Sequence, residues 1–417
     1  MIGNFKRFDM SRRPKRQMRI LTLLAWLLSF PRAWAHRVRI DKTRVPKQLG
    51  PPYFLLCNHN AFMDFMIMTK AIFPHRANYV AAINGAIGKE WLLRAVGGIC
   101  TRKFARSTSL VKAMLKARDN GDVIVLFPEA RYSLCGTPSV LPASLGKMVR
   151  KMDMPVVTLI MHGNHINSPF WNTGNRKVKP MEAEMQLLFT QEETQKLSID
   201  EINAKLADTF TYDDFAWQKE KGVRVKANNR AEGLHNVLYQ CPACFTEYRM
   251  TSQKNTLQCG NCSKSWVMDE LGCIRAQTGE TEFAHIPDWY EWERANVRRE
   301  IESGTYFFES EVRIESLPNA KGFVKFDEPG HLIHTMDGFT LSGTYKNEPF
   351  SICWTSASLY SCHIEYNYKG RGDCVDLSTP DDTFYLFPVK QHFAVTKISL
   401  ATEELHRHRM SVQTISR

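Results

Sequence analysis

The run Leu55-Leu56-Cys57-Asn58-His59-Asn60-Ala61-Phe62-Met63-Asp64 passes abruptly from apolar to polar residues, and a helical pattern follows it. Residues 53–57 read as a short buried strand, and the polar step after them reads as a strand-to-helix turn. In one continuous helix His59 and Asp64, five positions apart, would stand about 140° apart around the axis and could not meet. With His59 in the turn, Asn60 capping the next helix and Asp64 in its first turn, the carboxylate reaches back to the imidazole. Such a carboxylate fixes the tautomer, leaves the far ring nitrogen as a proton acceptor and stabilises the imidazolium that forms. Taken alone, the pair equally describes a satisfied buried histidine beside a helix-start carboxylate.

Outward from this stretch, strands are expected at 78–82, 122–127 and 155–161, alternating with helices. Leu110, Val111, Met114 and Leu115 repeat at helical spacing between residues 107 and 119, and Gly121 ends that element before the next strand. This crossover pattern implies an α/β fold with a partly parallel sheet. Gly97-Gly98-Ile99-Cys100-Thr101-Arg102 reads as a turn delivering an arginine, whose planar fork suits phosphate oxygens. Phe127-Pro128-Glu129-Ala130-Arg131-Tyr132-Ser133 follows a strand, and its proline stops the ladder at the carboxyl end of the sheet, where α/β folds bind ligands.

The His59 and Asp64 pair, the Gly98 to Arg102 turn, the Phe127-Pro128-Glu129 corner and the Met154-Pro155-Val156-Val157 strand, in that order, resemble the four blocks of the glycerolipid acyltransferase family, which includes lysophosphatidate acyltransferases. The likeness covers roughly residues 20–190. It implies a mixed-sheet acyltransferase domain in which His59 is the base for an acceptor hydroxyl and Asp64 orients it. It also implies that Asn58, Arg102, Glu129 and Arg131 bind substrate, with the acceptor phosphate held by the second and third blocks. The donor would be acyl-CoA or acyl carrier protein, and no catalytic metal is expected. The chemistry fits, because an alcohol attacking a thioester must lose a proton while charge builds on the carbonyl oxygen. Four departures bear on the acceptor: Thr158 stands where a second proline is frequent, Ala130 replaces the usual glycine, Arg131 stands where threonine is usual, and Tyr132 stands where arginine is usual. In an extended segment this one-residue shift turns the guanidinium to the opposite face.

The 417 residues, 43% hydrophobic and 24% charged, exceed one core and imply two or three folded units. A net charge of +12 calls for an anionic partner. Lys6, Arg7, Arg12, Arg13, Lys15, Arg16 and Arg19 precede an apolar run at 20–30, too short to span a bilayer but suited to an interfacial helix with a basic flank, so residues 1–36 read as a membrane-interfacial segment. The same order mimics a secretory signal, but eleven cysteines, odd in number and mostly scattered, argue against an oxidising compartment. The expected location is the cytoplasmic face of a membrane, peripheral or monotopic, with membrane lipids and the acyl thioester donor as partners.

Beyond the acyltransferase domain, taken as 37–228 and ending in a polar helical connector from about 190, Cys241-Pro-Ala-Cys244 and Cys259-Gly-Asn-Cys262 form two knuckles. Fourteen residues separate them, the spacing of a four-thiolate structural zinc site, and residues 236–276 read as a zinc ribbon. Nucleic acid is not expected as a partner, since the lysines near this module are isolated. Residues 282–417 read as a β-rich domain flanked by helices at 288–303 and 395–406, with strands at 311–314, 322–326, 332–335, 340–345, 350–354, 362–366 and 383–386. That count suits a pleckstrin-homology-like or GRAM-like barrel, a place for a protein partner. His162 and His165 read as loop or core histidines, and Cys57 as a buried, inert thiol. A catalytically inactive lipid-binding scaffold with this fold is the alternative to an enzyme.

Overall fold

The structure, a computed structural model, describes residues 2–3, 5–105, 107–389 and 394–415. The chain divides into two units: Asp9–Thr101 with Ser107–Lys226, and Ala227–Arg417 with Met1–Phe8 and Arg102–Arg106.

In the unit carrying His59 the elements run α1 (Arg19–Ala35), β1 (Arg39–Arg44), β2 (Phe54–Cys57), α2 (Met63–Ile72), β3 (Ala77–Ala82), α3 (Glu90–Ala95), β4 (Gly98–Thr101) and α4 (Thr108–Asp119). They continue through β5 (Val123–Leu126), α5 (Leu145–Met152), β6 (Val156–His162), α6 (Asn164–Asn167), β7 (Glu182–Phe189), α7 (Gln191–Lys196), α8 (Ile199–Thr209) and α9 (Asp214–Glu220). One seven-stranded sheet has the order β1-β7-β6-β2-β5-β3-β4. β6 and β7 pair antiparallel and the other neighbours pair parallel, so the sheet is mixed. All four residues of β2 are buried, as a central strand covered on both faces requires. Phe54, Leu56, Ile124 and Val156 pack with Met114, Val149, Ile202 and Leu206 of the helices on one face.

Two expectations change here. β1, β4 and β7 were not foreseen: β1 reads Arg-Ile-Asp-Lys-Thr-Arg with mostly exposed side chains, as an edge strand tolerates, and the four residues of β4 had read as a turn. Residues from 190 are not a mere connector. α7 and α8 each begin with a complete capping box, Thr190 with Glu193 and Ser198 with Glu201, and Ile202, Leu206 and Phe210 are core residues.

The other unit holds β8 (Met250–Gln253), β9 (Thr256–Cys259), β10 (Ser265–Met268) and β11 (Ile274–Ala276) in one four-stranded antiparallel sheet. After α10 (Ile286–Glu302) come β12 (Phe308–Ser316), β13 (Val324–Lys325), β14 (Gly330–Thr335), β15 (Gly338–Tyr345), β16 (Glu348–Thr355), β17 (His363–Glu365), β18 (Cys374–Ser378), β19 (Thr383–Pro388) and α11 (Ala394–Ile415). These eight strands form one sheet of order β16-β15-β14-β12-β19-β18-β17, with β13 on β12. β18 was not expected from sequence. α10 and α11 are tied by ions: Arg294 Nη1 lies 2.7 Å from Glu403 Oε2, and Arg298 Nε lies 2.7 Å from Glu404 Oε2.

Candidate active site

Three neighbouring strands, β6, β2 and β5, end at the same edge of the sheet, and the residues just past their carboxyl ends build the site. At the end of β2, Asn58 is buried, and its amide donates to Met161 O at 2.9 Å while accepting from Met161 N at 2.8 Å. This clamp stitches the tip of β2 to β6. Asn58, expected on the substrate, instead has both ends of its amide on backbone.

The next residue is the turn. His59 Nδ1 lies 2.9 Å from Asp64 Oδ2, and the same oxygen accepts the N–H groups of Asn60 at 2.6 Å and Ala61 at 3.1 Å. The other oxygen, Oδ1, accepts Asn164 Nδ2 at 2.6 Å. The carboxylate can only accept, so His59 Nδ1 carries its proton and Nε2 keeps a lone pair. The Asp64 side chain is 1% exposed and that of His59 24%, so the anion is enclosed while the imidazole retains a solvent edge. The helix cap differs from expectation. Phe62 is the N-cap residue and Asn60 lies before it, donating its N–H to Asp64. The imidazole is flanked by Phe127, with ring centroids 4.2 Å apart, and by Tyr132 at 4.3 Å.

Past β5, the corner folds around the backbone of His59. Glu129 Oε1 accepts His59 N–H at 3.1 Å, Ser133 N–H donates to His59 O at 2.8 Å, and Glu129 Oε2 accepts Ser139 N–H at 2.7 Å. The Tyr212 hydroxyl stands 3.2 Å from both Glu129 oxygens and from Asn60 Oδ1. Burial pushes the Glu129 carboxyl up to about 7 against these donors. Expected on the acceptor phosphate, Glu129 is fully enclosed and serves to hold His59 in place.

Ala130 adopts the left-handed conformation, φ 57°, so the corner is rebuilt rather than extended. Arg131 is buried and its Nε donates to Ser139 Oγ at 3.2 Å, while Tyr132 lies against His59. Arg131, expected on the acceptor, thus has its Nε engaged by Ser139.

Arg102 belongs to the other unit, buried, where its guanidinium donates to Leu317 O, Pro318 O, Asp381 O and Thr383 Oγ1 at 2.9–3.0 Å. Four protein acceptors occupy the fork expected to take a phosphate.

Sequence reading missed Asn164 and Tyr212. Gly163, at φ 89°, marks the tight turn that swings Asn164 onto Asp64, and a glycine after a strand was the available signal. Asp214 Oδ2 accepts the N–H groups of Gly163 and His165, both at 3.2 Å, and so fixes that turn. His162 lies 3.3 Å from Asp214, and burial drives His165 down to about 3. Cys57 is buried and its thiol is pushed well up, which suits an inert group.

In the other unit the four cysteines Cys241, Cys244, Cys259 and Cys262 gather in one cluster with their sulfurs unpaired. Cys241 and Cys262 sulfurs are 3.7 Å apart, as are those of Cys244 and Cys259. A tetrahedral ion with metal–sulfur bonds of about 2.3 Å needs sulfurs about 3.8 Å apart, so the cluster fits a structural metal. Phe245 and Ser263, each following a knuckle, take φ 61° and donate N–H to Cys241 O and Cys259 O, so the two knuckles are conformational copies.

Residues 37–162 match the family model described as Acyltransferase. Among solved structures, the chain is similar to the 1-acyl-sn-glycerophosphate (LPA) acyltransferase PlsC from Thermotoga maritima, with 15% identity, 46% of this chain and 76% of that chain covered, and a TM-score of 0.38. No curated protein matches the chain.

Proposed function

Because residues 37–162 form an acyltransferase-family domain, we propose that the protein moves a fatty acyl group from acyl-CoA or acyl carrier protein to the hydroxyl of a lysophosphatidate or related glycerolipid. The observation that carries this reading is the 2.9 Å contact between His59 Nδ1 and an enclosed Asp64, which leaves Nε2 basic at a solvent edge. His59 Nε2 takes the acceptor's hydroxyl proton as the alcohol oxygen attacks the thioester carbonyl. The new C–O bond forms, the C–S bond breaks, and the imidazolium returns its proton to the departing thiolate. Asp64 stabilises the imidazolium in between, and it is held by Asn164 and two backbone N–H groups so that it need not reorganise.

The membrane supplies the acceptor. On α1, Ile20, Leu23, Leu24, Leu27 and Leu28 recur at helical spacing and are each about half exposed or more, with Ile20 at 69% and Leu27 at 71%. An exposed apolar stripe after a basic stretch fits a helix lying in the headgroup region of an anionic leaflet. Not all of the basic stretch is free for phosphates, because Arg16 forms a two-point bond with Asp122. No helix among the described residues is long and apolar enough to cross a membrane. An odd count of eleven cysteines, mostly scattered along the sequence, fits the reducing cytoplasmic side. In this reading the four-cysteine cluster holds structural zinc in a ribbon, and the eight-stranded unit with α11 is a pleckstrin-homology-like or GRAM-like docking domain.

A second reading, a lipid-binding scaffold without turnover, draws on Arg102, Glu129 and Arg131, whose polar groups are engaged within the protein. One assay separates the two: thiol release from labelled acyl-CoA or acyl carrier protein with a panel of lysolipids, comparing wild type with His59→Ala. General-base catalysis contributes about 10²–10⁴-fold, so a folded His59→Ala protein should lose at least about a hundredfold. No turnover by wild type on any acceptor would favour the scaffold.

A further inference from the structure

Within the eight-stranded sheet, β17 and β18 bring three metal-ligating side chains together. His363 and Glu365 are two apart on β17 and share a face, while Asp376 on β18 is the direct cross-strand partner of His363. His363 Nε2 lies 3.0 Å from Glu365 Oε1 and 4.0 Å from Asp376 Oδ2. One ligand atom from each of the three residues falls within 4.8 Å of the others. The His363 and Asp376 side chains are each 2% exposed and that of Glu365 18%, so this is no solvated acidic surface.

The fourth member is Lys103, from the Arg102–Arg106 stretch of the same unit, whose Nζ lies 2.7 Å from His363 Nε2. An ammonium can only donate, so the imidazole receives it with a lone pair. The ammonium and the Glu365 oxygen thus both meet the same imidazole nitrogen, at 2.7 and 3.0 Å, so the place already holds one cation beside an imidazole and a carboxylate. Ligands about 2.0–2.1 Å from a tetrahedral ion stand about 3.3 Å apart, a spacing that the observed 3.0 and 4.0 Å bracket.

We propose that His363, Glu365 and Asp376 form a second metal site, separate from the four cysteines, which takes a divalent first-row transition ion in exchange for the Lys103 ammonium. One imidazole with two carboxylates is a donor set for zinc or manganese, unlike the soft four-thiolate cluster. The one ammonium beside the imidazole carries a single positive charge, whereas a divalent ion would match the two carboxylates of the cluster. Cys374 Sγ lies 3.6 Å from Asp376 Oδ1, leaving Oδ2 toward the imidazole. On metal entry the Lys103 side chain withdraws.

The test uses the full chain and reads metal rather than turnover. After zinc loading and dialysis, wild type should hold one zinc per chain more than His363→Ala or Asp376→Asn. Manganese titration followed by the electron paramagnetic resonance of the free ion isolates the site, because four thiolates disfavour that ion. Wild type should take up one equivalent and His363→Ala none. Should the histidine and aspartate variants misfold, Lys103→Ala decides: with the competing ammonium gone it should bind manganese more tightly than wild type, and its melting temperature should rise further on metal addition. No manganese uptake by either wild type or Lys103→Ala, or uptake that persists in a folded His363→Ala protein, overturns the proposal.

Discussion

Replacing Asn164 by alanine removes the contact that holds the far oxygen of Asp64 and leaves His59 and Asp64 themselves intact. Asn164 is fully buried, and its Nδ2 lies 2.6 Å from Asp64 Oδ1, while the three other contacts of the carboxylate fall on Oδ2. A hydrogen bond to a charged group is worth about 1.5–3 kcal/mol. The negative charge on Asp64 matters most when His59 is protonated, so most of this loss should appear in the transition state. With about 1.4 kcal/mol per tenfold in rate, kcat should fall about 10–100-fold. Stability should fall less, because removing the buried Asn164 Oδ1, which has no hydrogen-bond partner, returns about 1–3 kcal/mol and partly offsets leaving Asp64 Oδ1 without its donor. The assay is thiol release at saturating acyl donor, beside thermal melting and the downfield proton signal of the His59 Nδ1–H, which reports the bond without requiring turnover. An Asn164→Ala protein that melts normally and keeps kcat within about twofold of wild type would refute the claim that Asn164 steers the dyad.

Three further outcomes are expected. Ala130 sits at φ 57°, where a β-carbon costs about 1–2 kcal/mol that glycine avoids; glycine's greater unfolded-state entropy returns part of this, so Ala130→Gly should stabilise by about 0.5–1 kcal/mol in denaturant melts. Glu129 is raised from 4.5 to about 7, so between those values the native state holds a proton that the unfolded chain has released. Stability from this group is therefore present at low pH and lost as pH rises through that window, by about 3 kcal/mol at most; Glu129→Gln should flatten this fall in melts taken from pH 4 to 8. Ile20→Asp with Leu27→Asp, both at exposed positions of α1, should leave melting unchanged and lower binding to anionic vesicles at least about tenfold, since each apolar side chain contributes about 1.5–3 kcal/mol on burial. Unchanged vesicle binding would remove α1 from the membrane contact.

What the sequence determined by itself was local. An apolar run at 54–57 makes a central strand whatever surrounds it, five residues suffice to bring Asp64 back to His59, and each cysteine knuckle closes within its own turn. The helix at 108–119 was legible because its apolar spacing, its Ser107 cap and its stop lie in the segment itself, and that at 286–302 from its amphipathic composition. Strands without that signature went unseen. β1 is charged because it is an edge, and β18 is a short run bounded by loops that becomes a strand only between β17 and β19. Tertiary structure decided which polar groups stay available. Arg102 and Glu129 stand in motifs that suggest ligand contacts, yet their acceptors and donors are supplied by Leu317, Pro318, Ser139 and Tyr212, far away in the chain. Asn164 joins Asp64 across 100 positions for the same reason. Burial makes an unpaired polar atom costly, and which partner is nearest depends on how strands stack, not on the order in which residues are written.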